Sequence, residues 1–143
     1  MTGPRRHSRE AALRILYFAE IGGVPPEAAA EAYFSEHDPE ATDEVREFAA
    51  AIVDGTTSHL VEVDQLIERH ANNWRIERLA VIDRIILRMA AWELGHQPQT
   101  PPAVVLNEAI ELAREFSTDD SVRFVNGVLD GLLKAQGGTP ASS

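Results

Sequence analysis

The sequence predicts an all-α fold of about seven helices, arranged as two small three-helix bundles that share a central buried helix. Apolar residues recur with helical spacing along most of the chain, and no clear alternation of apolar and polar residues marks a strand. Glycine and proline pairs interrupt the pattern where helices would end. One segment, residues 76–94, is apolar almost all round, which is typical of a helix buried on every side.

The first three helices are predicted from the residues at their ends. The first covers about residues 8–21, with Ser8 as its N-cap and a glycine pair as its stop. The second covers about residues 25–37, because its two leading prolines suit a first helical turn. The third begins near Thr42, where two acidic residues favour the helix dipole, and a kink or break is expected at residues 55–58.

The remaining four helices lie in the second half of the chain. A short fourth helix is expected over about residues 60–71, followed by the apolar fifth helix at residues 76–94. Residues 95–102 form a proline-rich connector. The sixth and seventh helices occupy residues 104–133 and meet at a short polar corner, residues 117–120.

The length of the chain fits one domain, predicted over residues 1–136 with a basic N-terminal arm at residues 1–9. Residues 137–143 are small and polar and are expected to be a disordered tail. Cysteine is absent, which excludes disulfides and thiolate metal sites and fits a reducing cytoplasm. No apolar run is long enough to span a membrane, and the basic start is not followed by a signal-peptide pattern. We therefore expect a cytoplasmic protein.

The charge of the chain is unevenly distributed. The net charge is −10, yet the first 14 residues hold four arginines and one glutamate, a net charge of +3. This asymmetry indicates a basic arm that contacts a polyanion from an acidic body, with a solvated terminus as the alternative. Arg5, Arg6 and Arg9 lie just before or on the first helical turn. Arginine forks suit phosphate, and a helix N-terminus favours an anion, so these residues are candidate nucleic-acid contacts.

The most specific signal lies in residues 104–133. It contains Asn-Glu-Ala-Ile-Glu-Leu-Ala at residues 107–113 and Phe-Val-Asn-Gly-Val-Leu-Asp at residues 124–130. Asparagine and glycine are poor helix residues, so we expect Asn107 to form a hydrogen bond across helices and Gly127 to allow close helix approach. These segments, with the central helix and the arginine-rich start, resemble the transcription antitermination factor NusB family over about residues 5–135. The resemblance implies the same two-bundle fold.

The resemblance also implies two kinds of contact. It places Arg88, Phe124 and the polar corner beside RNA, together with the arginine arm. The alternatives are that Phe124 is a core residue and that Arg88 pairs with an acid. Tyr17 and Asp83 are implied contacts for the NusE ribosomal protein, although Asp83 alternatively pairs within the chain. The RNA-binding candidates are Arg5, Arg6, Arg9, Arg88, Asp120, Arg123 and Phe124.

The implied function is transcription antitermination, by binding boxA-type RNA of ribosomal RNA leaders with NusE in an RNA polymerase complex. The alternatives are a helical interaction module, such as a homodimer, and a targeting domain of an rRNA methyltransferase. The chain ends at residue 143 without a methyltransferase, which disfavours the latter. No phosphate-binding glycine loop is present, and only Glu93-x-x-His96 resembles half of a di-iron site. We therefore expect no catalytic residue, cofactor or metal.

Overall fold

The computed structural model describes residues 3–71 and 75–135. In this part of the chain there are seven α-helices, one short 3₁₀ helix and no β-strand, which confirms the all-α prediction. The α-helices are α1 Pro4–Gly22, α2 Pro26–Glu36, α3 Asp43–Ser58, α4 Leu60–His70, α5 Val81–His96, α6 Pro102–Phe116 and α7 Asp119–Ala135, and the 3₁₀ helix is Ile76–Arg78. None of the described helices has the length and apolar character to cross a membrane. The predicted tail, residues 137–143, lies outside the described residues.

The first compact unit, residues 1–58, is a three-helix bundle. α1 packs along α3 and α2, and its buried face follows helical spacing. α1 ends where predicted, because Gly23 adopts a left-handed conformation with a φ of 64° and donates its N–H to the carbonyl of Ala19. Thr42 accepts a hydrogen bond from the backbone N–H of Val45 at 3.2 Å, so the predicted start of α3 is also confirmed.

Two local expectations in this unit were wrong. Ser8 does not cap α1, because the helix already begins at Pro4, which suits the first turn. Ser8 is instead buried, and its Oγ lies 2.9 Å from the carbonyl oxygens of Pro4 and Val45, the second of which belongs to α3. The helix does not break at residues 55–58 as expected, because α3 continues to Ser58. The break comes one residue later, before α4.

The second compact unit begins at residue 59 and is organised around α5. α5 packs against α4, α6 and α7, which confirms its prediction as a buried central helix. Its start was predicted too early, because residues Ile76–Arg78 form a 3₁₀ helix and Leu79 is extended. Tertiary contacts of this segment compete with helix formation and explain the difference. Glu68 accepts the backbone N–H of Ile76 at 2.9 Å, and the side chains of Ile76 and Leu79 are buried.

The expected roles of Asn107 and Gly127 were also wrong. Both residues are exposed, and Asn107 forms no cross-helix hydrogen bond among the described residues. A Cβ at Gly127 would meet nothing within 4 Å. The close approach occurs one helical turn later, where a Cβ on Gly131 would lie 3.1 Å from Nδ1 of His70 on α4. Asn107 and Gly127 therefore both lie on the protein surface.

Candidate nucleic-acid and partner interfaces

The arginine cluster lies at the N-terminal end of α1. Arg5 and Arg6 occupy the first turn, which contains no acidic residue, so the helix dipole and the side chains present positive charge together. The guanidinium carbon of Arg5 lies 3.8 Å from the ring centroid of Phe48 on α3, a cation–π distance. Phe48 is itself buried, so the core of the unit holds the Arg5 guanidinium in place while the residue remains exposed.

The three predicted arginines differ in accessibility. Arg5 is exposed and Arg6 is half-buried, whereas Arg9 is only 4% exposed. Beside them, Nε2 of His7 lies 2.7 Å from Oδ2 of Asp38, which ties the start of α1 to the loop before α3. Arg5 and Arg6 therefore supply the accessible charge of the cluster. Arg9 lies beneath this surface.

A buried carboxylate organises the corner between α6 and α7. Asp83 on α5 is 7% exposed. Its Oδ1 accepts a hydrogen bond from Oγ of Ser117 at 2.8 Å, and its Oδ2 accepts one from Oγ of Ser121 at 2.7 Å. Asp83 therefore fixes the polar corner to the central helix through both oxygens. This pairing fits the within-chain alternative for Asp83 and leaves little of its surface for a partner.

The corner carries an open cleft of about 270 Å³ beside Phe124. Phe124 is half-buried, so part of its ring is accessible at the cleft wall. Asp120 and Asp83 also line it, and Arg123 forms an exposed ion pair with Asp120. The structure thus brings together the predicted residues Asp120, Arg123 and Phe124. It adds Arg78, which the sequence interpretation missed although it begins the segment that resembles the family's central helix.

The 3₁₀ helix beside the cleft carries charges of both signs. Glu77 has a lowered pKa, chiefly because it accepts a hydrogen bond from its own backbone, and further because the Arg75 side chain donates to it at 2.9 Å. Both side chains are largely exposed. Glu77 is therefore ionised at neutral pH, and it moderates the positive charge contributed by Arg78 and Arg75.

Arg88 is committed to a different contact. Its Nε and one terminal nitrogen donate to the two carboxylate oxygens of Asp64 on α4, at 2.7 and 3.0 Å. The two side chains are only 15% and 20% exposed. Such a two-bond pair has specific geometry and joins α5 to α4. Arg88 is not among the residues that line the Phe124 cleft, and its ion pair with Asp64 fits the alternative in which it pairs with an acid.

The predicted partner contact Tyr17 lies on an exposed apolar face of α1. Tyr17 is 40% exposed, Phe18 46% and Ile21 59%. Phe18 also lines a groove between α1 and α2 whose other walls include Tyr33 and Glu36. Exposed neighbouring aromatic side chains with polar groups at their edge are typical of interface anchors. Sequence analysis missed Phe18 and Ile21, because the apolar pattern of α1 is wider than a single buried stripe.

Together these features define a class of protein. An all-α chain with accessible arginines at a helix N-terminus and a half-exposed aromatic side chain in a cleft that charged residues also line has the features of a helical nucleic-acid-binding protein. A family model described as the NusB family matches residues 6–134. The chain therefore belongs to the NusB family, and the resemblance recognised in its sequence is confirmed.

Individual relatives agree over nearly the whole chain. The transcription antitermination protein NusB of Symbiobacterium thermophilum is 43% identical over 140 residues, which cover 94% of this chain and 92% of that protein. Its counterpart in Elusimicrobium minutum is 44% identical, with 92% and 94% covered. T. maritima NusB superposes with a TM-score of 0.85 at 33% identity, covering 99% and 97%. A crystal structure of NusB and NusE in complex with dsRNA gives a TM-score of 0.85 at 28% identity, covering 94% and 99%.

Proposed function

We propose that this chain is a transcription antitermination factor. It binds a boxA-type single-stranded element in ribosomal RNA leader transcripts together with the NusE ribosomal protein, and it joins an RNA polymerase complex in the cytoplasm. The similarity to antitermination proteins over more than nine-tenths of the chain carries this proposal. The chain acts by coupled binding, without a catalytic step.

Arg5 and Arg6 support the RNA contact. Both are in the first turn of α1, where the side chains and the helix dipole favour phosphate. The Phe48 ring holds the Arg5 guanidinium, so less side-chain freedom is lost when a phosphate binds. Arg9 is nearly buried, and we propose that it supports this surface and makes the smallest direct contribution of the three.

The Phe124 corner supports a second kind of RNA contact. A half-exposed aromatic ring offers a stacking surface for an unpaired base, worth about 1–3 kcal/mol per base. Arg78 and Arg123 lie in the same region and supply charge for the RNA backbone. Asp120 has its carboxylate paired with Arg123 and offers an acceptor to a base edge when that pair opens. This surface reads an unpaired strand, whereas the arginine cluster contributes charge.

The exposed face of α1 is the proposed NusE-binding surface. Tyr17, Phe18 and Ile21 provide the apolar anchors. Residues 20–58 of the same compact unit contain ten acidic residues and a single arginine, so this unit favours a basic partner such as a ribosomal protein. Asp83 belongs to the other compact unit, and its two serine bonds point to an indirect role in positioning the corner.

The test is a salt-series titration of boxA-type RNA and a scrambled RNA of equal length. We expect preference for the boxA-type RNA, and we expect the R5A/R6A variant to bind more weakly. Loss of two phosphate contacts on a single strand flattens the slope of log affinity against log salt by about 1.4. The matched control is Arg114→Ala, which removes an exposed arginine paired with Glu111 on α6. Equal binding of both RNAs, or equal losses in R114A and R5A/R6A, would contradict the proposal.

The interaction module without RNA function, including a homodimer, remains the alternative. It predicts that R5A/R6A leaves every binding partner unaffected. Sedimentation of the chain with and without boxA-type RNA separates the cases, because a homodimer whose assembly is unrelated to RNA keeps its mass when RNA is added. For an antitermination factor, we expect a heavier, RNA-bound species with boxA-type RNA. The scrambled RNA is the negative control and should give no such species.

A further inference from the structure

Two histidines and one glutamate converge where α4 begins and α5 ends. His59 immediately precedes α4, Glu62 lies in the first turn of α4, and His96 is the last residue of α5. One nitrogen from each imidazole and one carboxylate oxygen all lie within 4.8 Å of one another. We propose that these three residues form a binding site for a first-row divalent cation such as Zn²⁺.

The spacing of the three ligand atoms fits such an ion after a small adjustment. For three atoms no more than 4.8 Å apart, some point lies within about 2.8 Å of all of them. Zinc needs nitrogen and oxygen ligands at about 2.0–2.2 Å, so each atom has to move by less than about 1 Å. Glu62 is exposed and both imidazoles are only half-buried, so rotation of these side chains supplies that movement.

The surroundings favour a cation at this position. The rings of His59 and His96 have centroids 4.2 Å apart, and Nε2 of His96 lies 3.2 Å from Oε2 of Glu62. Two protonated imidazoles at this separation would repel, whereas a shared ion is attracted by both neutral rings and by the carboxylate. The C-terminal carbonyl groups of α5 add a favourable dipole. Two imidazoles and one carboxylate suit zinc and leave a coordination position for water.

A neighbouring aromatic side chain lies beside one ligand. The ring of Trp92 is nearly parallel to that of His96, at an interplanar angle of 15° and a centroid distance of 6.1 Å. Trp92 is buried, so its indole ring is held beside this imidazole. The same proximity makes its fluorescence a reporter, because a paramagnetic ion bound by His96 quenches a tryptophan at this distance. The sequence did not reveal this site, because His59 and His96 are 37 positions apart in the chain and only the fold brings them together.

The direct test is titration of the full chain, free of any histidine tag, with Zn²⁺ and with Co²⁺. We expect one equivalent of Zn²⁺ to bind by calorimetry and to raise the melting temperature. The chain has two tryptophans, so we expect Co²⁺ to quench the Trp92 part of the tryptophan fluorescence. Co²⁺ should also give the visible absorption of a low-symmetry, four- or five-coordinate ion. Binding should weaken in acid, because protons compete with the ion for the ligand atoms.

Variants identify the ligands. His59→Ala and His96→Ala should each weaken Zn²⁺ binding at least about tenfold, and Glu62→Gln should weaken it while keeping the side-chain shape. His37→Ala, which removes an exposed histidine from the other compact unit, is the matched control and should bind normally. If a histidine variant fails to fold, Zn²⁺ binding by Glu62→Gln and by the unaltered chain still tests the proposal. The proposal is overturned if the unaltered chain binds no Zn²⁺ at millimolar concentration, or if E62Q and the histidine variants bind as well as His37→Ala.

Discussion

Replacing Asp83 with alanine removes the carboxylate that holds the α6–α7 corner to α5. Two serine hydroxyl groups donate to it, at 2.8 and 2.7 Å. A hydrogen bond to a charged group contributes about 1.5–3 kcal/mol, so two such bonds set an upper range of about 3–6 kcal/mol. Ser117 and Ser121 are half-buried, and water replaces part of what they lose. We therefore expect D83A to lower the free energy of unfolding by about 3 kcal/mol.

Urea unfolding followed by helical circular dichroism measures this loss, and the melting temperature should fall by about 10 °C. The control is Asp130→Ala, which removes an exposed carboxylate paired with Lys134 and should change stability by less than about 0.5 kcal/mol. A double-mutant cycle between D83A and Ser121→Ala should give a coupling energy of about 1–2 kcal/mol. Asp83→Asn keeps the shape and should cost less than D83A.

Two results would refute the reasoning. One is a loss in D83A no larger than in the Asp130 control. The other is the absence of coupling to Ser121, which would mean that the carboxylate does not hold the corner. If D83N instead abolished NusE binding while leaving stability and RNA binding unchanged, Asp83 would be a direct partner contact, as the sequence-based prediction had it.

Changes at four further positions test other parts of the structure. Gly127→Ala should raise the free energy of unfolding by about 0.5–1 kcal/mol, because a Cβ there meets nothing on an exposed helical face. Gly131→Ala should gain less in the same urea assay, since its Cβ would press on a histidine ring of α4; an equal gain would contradict this packing. Asp64→Ala should cost about 2 kcal/mol by leaving Arg88 without its two-bond partner, and a neutral result would show that the pair is incidental. Phe124→Ala should weaken boxA-type RNA binding about tenfold while Phe124→Trp preserves it, measured by fluorescence anisotropy; equal losses would argue against stacking.

Helix identity was predictable from sequence because apolar spacing and end residues agree along most of the chain. All seven helices were predicted, and Gly23 and Thr42 mark ends as their chemistry dictates. The errors occurred where tertiary contacts compete with local preference. The Ser8 hydroxyl donates to a carbonyl oxygen inside the bundle instead of capping α1. Residues 76–80 do not join α5, because Ile76 and Leu79 are buried and Glu68 accepts the backbone N–H of Ile76.

Site residues were harder to predict, because sequence spacing does not report exposure or distant partners. The grouping of Asp120, Arg123 and Phe124 follows from helical spacing on α7, so the sequence anticipated it. The burial of Arg9 and the pairing of Arg88 with Asp64 depend on helices far apart in sequence. The roles proposed for these residues in RNA binding remain predictions.

The most direct measurement of the central claim is a thermodynamic cycle for the chain, boxA-type RNA and NusE. RNA affinity is measured with and without NusE, and NusE affinity with and without RNA. Coupled binding requires that the two affinities tighten by the same factor, which we expect to be at least about fivefold with boxA-type RNA and absent with scrambled RNA. If neither ligand affects the other, or if scrambled RNA gives the same factor, the chain does not act as a boxA-dependent antitermination factor with NusE.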